Sequence, residues 1–205
     1  MPLLLSAPSW DGDFLIYIQE HIRCGFLDYI FPNITFLGTA GAFWIVLTAI
    51  LLFFRKTRRA GVCSAFALIG SLLLNNCLLK PLVGRVRPYE VVEGLRLIGA
   101  KASDSSFPSG HAAASVASAA AMCRFLKKRF SIPLVVLALM IAFSRLYIGI
   151  HFPTDVLAGV LDGILLGILG CVIEAQMYRR WAWYAEACKE DTTTVESSND
   201  KAVAK

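Results

Sequence analysis

Along this chain the apolar residues gather into runs of helical length, and the polar residues gather where those runs stop. Residues 9–24 carry Phe14, Leu15, Ile18 and Ile22 at helical spacing, with Asp13, Gln19, Glu20 and Arg23 on the opposite face. That pattern predicts an amphipathic helix lying on a membrane interface. Residues 26–37 are apolar but interrupted by Asp28 and Pro32-Asn33, and are expected to complete a tilted or broken span with the helix before them. Residues 43–54 are almost purely apolar and end at the basic turn 55–59; residues 60–79 form a full-length apolar run that stops at Lys80-Pro81. Asn75 and Asn76, near its end, need hydrogen-bond partners in lipid.

Residues 83–107 read as a polar loop of mixed charge. Residues 108–126 are dominated by Ala and Ser, which let helix backbones approach closely, so a central helix is expected there. Residues 132–150 make the next span, with Pro133 suited to its first turn. Residues 153–178 make the last, with Gly159, Gly163, Gly167 and Gly170 on a near-regular spacing of four that favours close packing. Arg179-Arg180 end it, followed by Trp181, Trp183 and Tyr184 as an expected interfacial aromatic group.

Composition agrees with this pattern. Of 205 residues 57% are hydrophobic and 17% charged, against about 45–50% and about 25% in soluble domains. The expected fold is all-α: a polytopic transmembrane bundle of six helices in one membrane domain, residues 1–188. A polar, Ser/Thr-rich tail, 189–205, is expected to be disordered and cytoplasmic. Residues 1–5 lack a basic segment and a long apolar stretch, and no cleavable signal peptide is expected. The six cysteines lie mostly inside apolar runs without CxxC spacing and read as small buried side chains.

Net charge is +5, but the Lys and Arg sit at the ends of apolar runs, where they set topology; no nucleic-acid partner is implied. The basic turns 55–59, 124–129 and 179–180 are separated by two spans each and so share one side, the cytoplasm by the positive-inside rule. Three other polar clusters, around Lys80 to Arg87-Pro88, Pro108-Ser109-Gly110-His111 and Arg145 to Asp155, then fall together on the extracytoplasmic face.

Chemistry points the same way. Lys80, Arg87 and Arg145 at one apolar–water boundary repel one another unless an anion joins them, and guanidinium groups match phosphate oxygens. Ser109 and Gly110 follow Pro108 at a helix start, where free backbone N–H groups add to an anion site. Asp155, four residues after His151, can fix the imidazole tautomer and leave the other nitrogen as a nucleophile, with His111 as general acid. Taken singly each feature has a plainer reading: snorkelling charges, a helix cap, or an Arg145–Asp155 pair joining two spans. Three neighbouring cations also argue against a divalent metal at the two histidines and the carboxylate. Asp162 in mid-span, Glu174 near the basic end, and the loop residues Asp104, Ser105 and Ser106 stand outside the expected site; Asp104 to Ser106 at most shape its rim.

Lys80-x6-Arg87-Pro88, Pro108-Ser109-Gly110-His111 and Ser144-Arg145-x5-His151-x3-Asp155 together resemble the three-part signature of the phosphatidic acid phosphatase type 2 family, whose superfamily includes bacterial acid phosphatases and vanadium haloperoxidases. The resemblance covers roughly residues 80–155. It implies phosphate binding by Lys80, Arg87, Ser109, Gly110 and Arg145, with His111 as acid, His151 as nucleophile, Asp155 as its partner, and no metal or other cofactor. The flanking runs resemble the small bacterial membrane branch, which acts on phosphatidic acid, phosphatidylglycerol phosphate or undecaprenyl diphosphate. The expectation is therefore a lipid phosphatase in a bacterial plasma membrane, with undecaprenyl diphosphate first in order and glycerophospholipid phosphates next. A lipid phosphotransferase and a non-enzymatic anion-binding or transport protein stand as alternatives. The sequence does not specify an oligomeric state.

Overall fold

The computed structural model describes residues 8–189; residues 1–7, and the expected tail from 190 on, lie outside the described residues. Within them all regular structure is helical. The order is α1 (Ser9–His21), α2 (Gly25–Leu37), a 3-10 turn (Thr39–Gly41), α3 (Ala42–Phe53), a second 3-10 turn (Arg55–Thr57) and α4 (Arg58–Ser71). A π-helical stretch (Leu72–Leu79) carries α4 without a break into α5 (Lys80–Val83). Then come α6 (Pro88–Val91), α7 (Gly110–Cys123), α8 (Lys128–Tyr147), α9 (Pro153–Arg180) and α10 (Ala182–Cys188).

Three helical stretches are long and apolar enough to cross a membrane: the one that begins at Arg58, α8 and α9. A fourth arises if α2 and α3, bent by 48° at the break between them, are one span. The partner of α2 in that bent pair is thus the following helix and not α1. The break falls at Gly38–Gly41, where Gly41 has φ +67, open to glycine at no steric cost. Helix α1 packs instead on α8 and α9: Leu15 and Ile18 of its expected apolar face are fully buried, while Phe14 is exposed.

The central position of α7 follows from its composition. Nine of its fourteen residues are buried, all Ala, Ser, Val or Met, and it packs against α9, α4 and α8. Its closest neighbour is α9, and the glycine spacing explains the approach. A Cβ added to Gly163 would lie 2.8 Å from the Ala113 carbonyl oxygen, and one added to Gly167 would lie 2.8 Å from Ala120 Cβ. A polar ladder crosses the same core: Trp44 Nε1 donates to Ser115 Oγ at 2.9 Å, Thr48 and Ser64 share a bond at 2.7 Å, and Ser64 donates to Ser118 at 3.0 Å. Such bonds join helices where lipid supplies no alternative partner. On the outside, Leu157, Leu161, Leu165 and Leu169 of α9 are exposed at every fourth position, as a lipid-facing stripe is.

The two ends of the bundle differ chemically. At the basic end Arg59 holds the buried Glu174 through two bonds of 2.6 and 3.0 Å, and its guanidinium lies over the rings of Tyr178 and Phe125. The three basic turns thereby meet. Tyr184, expected at the interface, is instead buried and donates to Glu174 at 3.1 Å; Trp181 and Trp183 are exposed and stacked. Helix α8 begins at Lys128, four residues before the expected start, so Pro133 lies inside it and leaves the Arg129 carbonyl without its usual partner. The opposite end gathers the termini of α5, α7, α8 and α9, and there the three polar clusters meet.

Candidate active site

Most of the residues expected at the site sit at helix ends. Lys80 opens α5, Ser109 caps α7 and Gly110 starts it, Arg145 lies in the last turn of α8, and Phe152 caps α9. Between α8 and α9 the chain turns tightly. Arg145 O accepts from the amides of Ile150 and His151 at 3.2 and 3.3 Å, which places His151 back over the end of α8. His151 is 2% exposed.

Asp155 lies behind it and is fully buried. Its Oδ2 accepts from the Phe152 amide at 2.9 Å and from Ser106 Oγ, and is 3.6 Å from His151 Nδ1; its Oδ1 accepts from Arg85. The second imidazole nitrogen, Nε2, lies 3.4 Å from Arg87 Nη1. A guanidinium only donates, so Nε2 is the acceptor and the proton resides on Nδ1, facing Asp155 and Ser106. Burial pushes the imidazole down to about 4, against the pull of Asp155 and with the charges of Arg145 and Arg87 adding to the depression. At neutral pH the ring is therefore uncharged, with one nitrogen lone pair available.

A cavity of about 430 Å³ joins the pieces. Lys80, Arg87, Gly110, His111, Arg145 and His151 line its polar part, while Ile45 of α3 and Leu68, Ile69 and Leu72 of the following helix line its apolar part. His111 and Arg145 also border a second space of about 360 Å³ beside Thr35 and Lys101. Arg145 donates to Thr35 Oγ1 at 2.6 Å, and its Nε is buried without a hydrogen-bond partner among the described residues. Gly38, at the bend before α3, gives His111 its room: a Cβ there would be 2.8 Å from His111 Cδ2.

Two expected members stand apart from the cavity wall. Asp155 is behind His151. Ser109 is fully buried, its amide donates to Asp155 O at 3.0 Å, and its hydroxyl has no partner among the described residues. The Ser109 amide therefore ties α7 to α9, and Gly110 is the residue of that helix start that lines the cavity. A Cβ on Gly110 would lie 3.7 Å from Lys80 Nζ, so the helix start and the lysine converge on one spot.

The sequence reading missed four residues. Arg85, 5% exposed, binds Asp155 with one nitrogen and Asp11 of α1 with another at 2.7 Å, and stacks over the Phe152 ring. Asp11 is fully buried and also accepts from the Thr154 amide at 3.0 Å. Ser106 bonds the Asp155 carboxylate, and Asp104 bonds both Lys80 and Arg87. Arg85 had a signal, being a second arginine in the Lys80–Arg87 stretch. Asp11 had none, because it lies 74 residues away from Arg85.

Comparison with known proteins places the chain among relatives of one family. The family model described as "PAP2 superfamily" matches residues 60–180. The chain is 33% identical over 132 residues to an undecaprenyl-diphosphatase of Sulfolobus acidocaldarius, covering 64% of each chain. It is 33% identical over 162 residues to phosphatidylglycerophosphatase B of Bacillus subtilis, covering 72% of this chain and 75% of that protein. The match spans slightly less than two thirds of the length of the first curated relatives. In structure it resembles the crystal structure of a transmembrane PAP2 type phosphatidylglycerolphosphate phosphatase from Bacillus subtilis, with TM-score 0.68 and 28% identity, covering 84% of this chain and 88% of that one.

Proposed function

The chain belongs to the PAP2 superfamily, and from that membership and the cavity we propose that it is a metal-independent membrane phosphatase acting on a lipid phosphomonoester or diphosphate. The observation that carries the reading is the cavity in which a neutral, carboxylate-backed imidazole shares the wall with three cations, while Ile45, Leu68, Ile69 and Leu72 line one side of it.

In this mechanism Lys80, Arg87, Arg145 and the Gly110 amide hold the phosphoryl oxygens. Burial, with the charges of Arg145, Lys80 and Arg87, pushes the His111 imidazole down to about 2; the phosphoryl anion offsets those charges, and His111 takes up the proton that the phosphate group brings. His151 Nε2 attacks phosphorus, the bond to the leaving oxygen breaks, and His111 passes that proton to the leaving oxygen. Asp155 and Ser106 keep the Nδ1 proton of His151 in place as charge develops on the ring. Water then attacks the phosphohistidine, gives its proton to His111, and frees His151 and orthophosphate. Ser109 contributes by position, through its bond to the Asp155 carbonyl.

The lipid arm lies along Ile45, Leu68, Ile69 and Leu72, and lateral access from the bilayer follows from that apolar wall. Six helical units make up the membrane domain: α1 at the interface, the α2–α3 pair, the α4–α5 helix, α7, α8 and α9. The basic turns face the cytoplasm, together with the C-terminus, and the site faces outward in a bacterial plasma membrane. Undecaprenyl diphosphate is the first substrate proposed, supported by the outward-facing site and by the undecaprenyl-diphosphatase relatives. Phosphatidylglycerol phosphate or phosphatidic acid is the second, supported by the phosphatidylglycerophosphatase likeness in sequence and structure.

Purified protein in detergent with EDTA, offered the three lipids in parallel, tests both levels. Release of orthophosphate that vanishes in His151→Ala is expected, and the ratio of kcat/KM values assigns the substrate. Folded protein that releases no phosphate from any of them would overturn the phosphatase reading and favour phosphotransfer or anion binding.

A further inference from the structure

Two of the three cavity cations already hold a carboxylate. Asp104, in the loop before α7, accepts from Lys80 Nζ with one oxygen and from Arg87 Nη2 at 2.5 Å with the other. The partners are unequally fixed. Lys80 and Arg87 side chains are 11% and 4% exposed, whereas that of Asp104 is 48% exposed. Arg87 is also anchored by two carbonyls, Ile150 O at 2.9 Å from Nη1 and Asp104 O at 2.9 Å from Nε. Removing the Asp104 carboxylate therefore leaves the arginine in place, with Nη2 keeping only its long bond of 3.4 Å to Ser105 O. Lys80 Nζ stands beside Gly110 at the start of α7. The Asp104 carboxylate thus holds the donors a phosphoryl group needs.

Resting on the phosphatase reading above, we propose that Asp104 is an affinity-setting residue of the active site: its carboxylate competes with the phosphoryl group for Lys80 and Arg87. The physical argument is one of charge. Three cations at an apolar boundary bind a multiply charged anion tightly, and orthophosphate as product is such an anion. A site built only of cations would keep its product. An outer carboxylate on a half-exposed side chain swings aside when a phosphoryl group enters and returns to the same nitrogens as orthophosphate leaves. Burial pulls the Asp104 carboxyl up, but the bonds and charges of Lys80 and Arg87 outweigh it and hold it at about 2, so it is an anion at every working pH.

The test compares orthophosphate inhibition of wild type, Asp104→Asn and Asp104→Glu, with thermal unfolding in detergent as the check on folding. Asn keeps the size and loses the charge; Glu keeps the charge. The Asn variant is expected to lower the orthophosphate inhibition constant by about tenfold or more, with KM for the lipid falling in parallel, and the Glu variant to stay within about threefold of wild type. An inhibition constant that is unchanged or higher in the Asn variant would overturn the proposal and make Asp104 a holder of the two cations. An equal fall in both variants would also overturn it, because charge would then not be the cause. Orthophosphate binding followed by phosphorus NMR line broadening on the same three proteins decides the question without turnover. A wild type that binds orthophosphate but hydrolyses no lipid would sink the phosphatase reading and leave the Asp104 comparison intact.

Discussion

Asp11 and Arg85 lie 2.7 Å apart, one in the first helix and the other in the loop after α5, with side chains 0% and 5% exposed. Arg85 reaches from Asp11 to Asp155, and Asp155 stands behind His151. The first helix, outside the family-matched stretch 60–180, is in this way wired to the His151 imidazole. Removing one partner of a buried pair leaves the other charge uncompensated, at about 3–5 kcal/mol. Asp11→Ala is expected to lower stability by that order and to reduce kcat, since Arg85 then has only Asp155 to balance it. Thermal unfolding in detergent with parallel turnover assays checks both. A variant as stable and active as wild type would show that the α1 contact is dispensable.

Asp155→Asn is expected to lower kcat by about 10²–10⁴-fold with a smaller change in KM. The amide has lost the charge that stabilises the ring as it becomes positive, and can present its NH₂ to Nδ1 and displace the tautomer. Steady-state kinetics on the variant, beside His111→Ala, separates tautomer control from proton donation.

The pH dependence follows from the buried imidazole. His151 sits near 4, below the ordinary 6.5, so its nucleophilic form persists into acid and the limb of kcat/KM that it governs falls only near about pH 4. Between those two values the unfolded chain binds a proton that the native ring refuses. The stability this group contributes is therefore complete above the ordinary value and drains away as pH falls toward 4. Unfolding temperatures measured between about pH 7 and about pH 4 should decline, and His151→Ala should flatten that part of the slope.

Gly163→Leu is expected to destabilise by about 1–3 kcal/mol or more, because its first side-chain atom meets the Ala113 carbonyl at 2.8 Å and backbone cannot step aside cheaply. Since α7 carries His111, activity should fall with it. Gly25→Ala, where a Cβ meets nothing within 4 Å, is the control and should leave unfolding unchanged.

Glu174→Ala separates the two ends of the bundle. It removes the acceptor of Arg59 and Tyr184 and should lower the unfolding temperature, while kcat of the folded enzyme stays near wild type. A kcat loss larger than the loss of folded protein would contradict the division of labour between the ends.

The residues that bear the proposed chemistry were legible because their spacing is local: His151 and Asp155 are one helical turn apart, and Lys80, Gly110 and Arg145 mark the ends of apolar runs. Helix class and the central place of α7 were legible from the Ala/Ser content and the four-residue glycine spacing. What escaped was pairing at a distance. Asp11 looked like one more polar residue of an interfacial helix, Asp104 and Ser106 like loop residues, and nothing local tells a solvated carboxylate from one held by two cations. The α2–α3 pairing escaped for a related reason: Pro32-Asn33 looked like the break, yet α2 runs through Pro32 and the bend falls at Gly38–Gly41, where clearance over His111 is needed.

The central claim is covalent transfer to His151, and trapping the intermediate tests it most directly. The protein would be mixed with lipid phosphate labelled at the transferred phosphorus, quenched in alkali, where phosphohistidine survives, and mapped by peptide mass spectrometry. Label on the peptide carrying His151 in the wild type, and absent in His151→Ala, is the predicted result. Continued phosphate release from His151→Ala, or rapid turnover with label on no histidine in either protein, would contradict it.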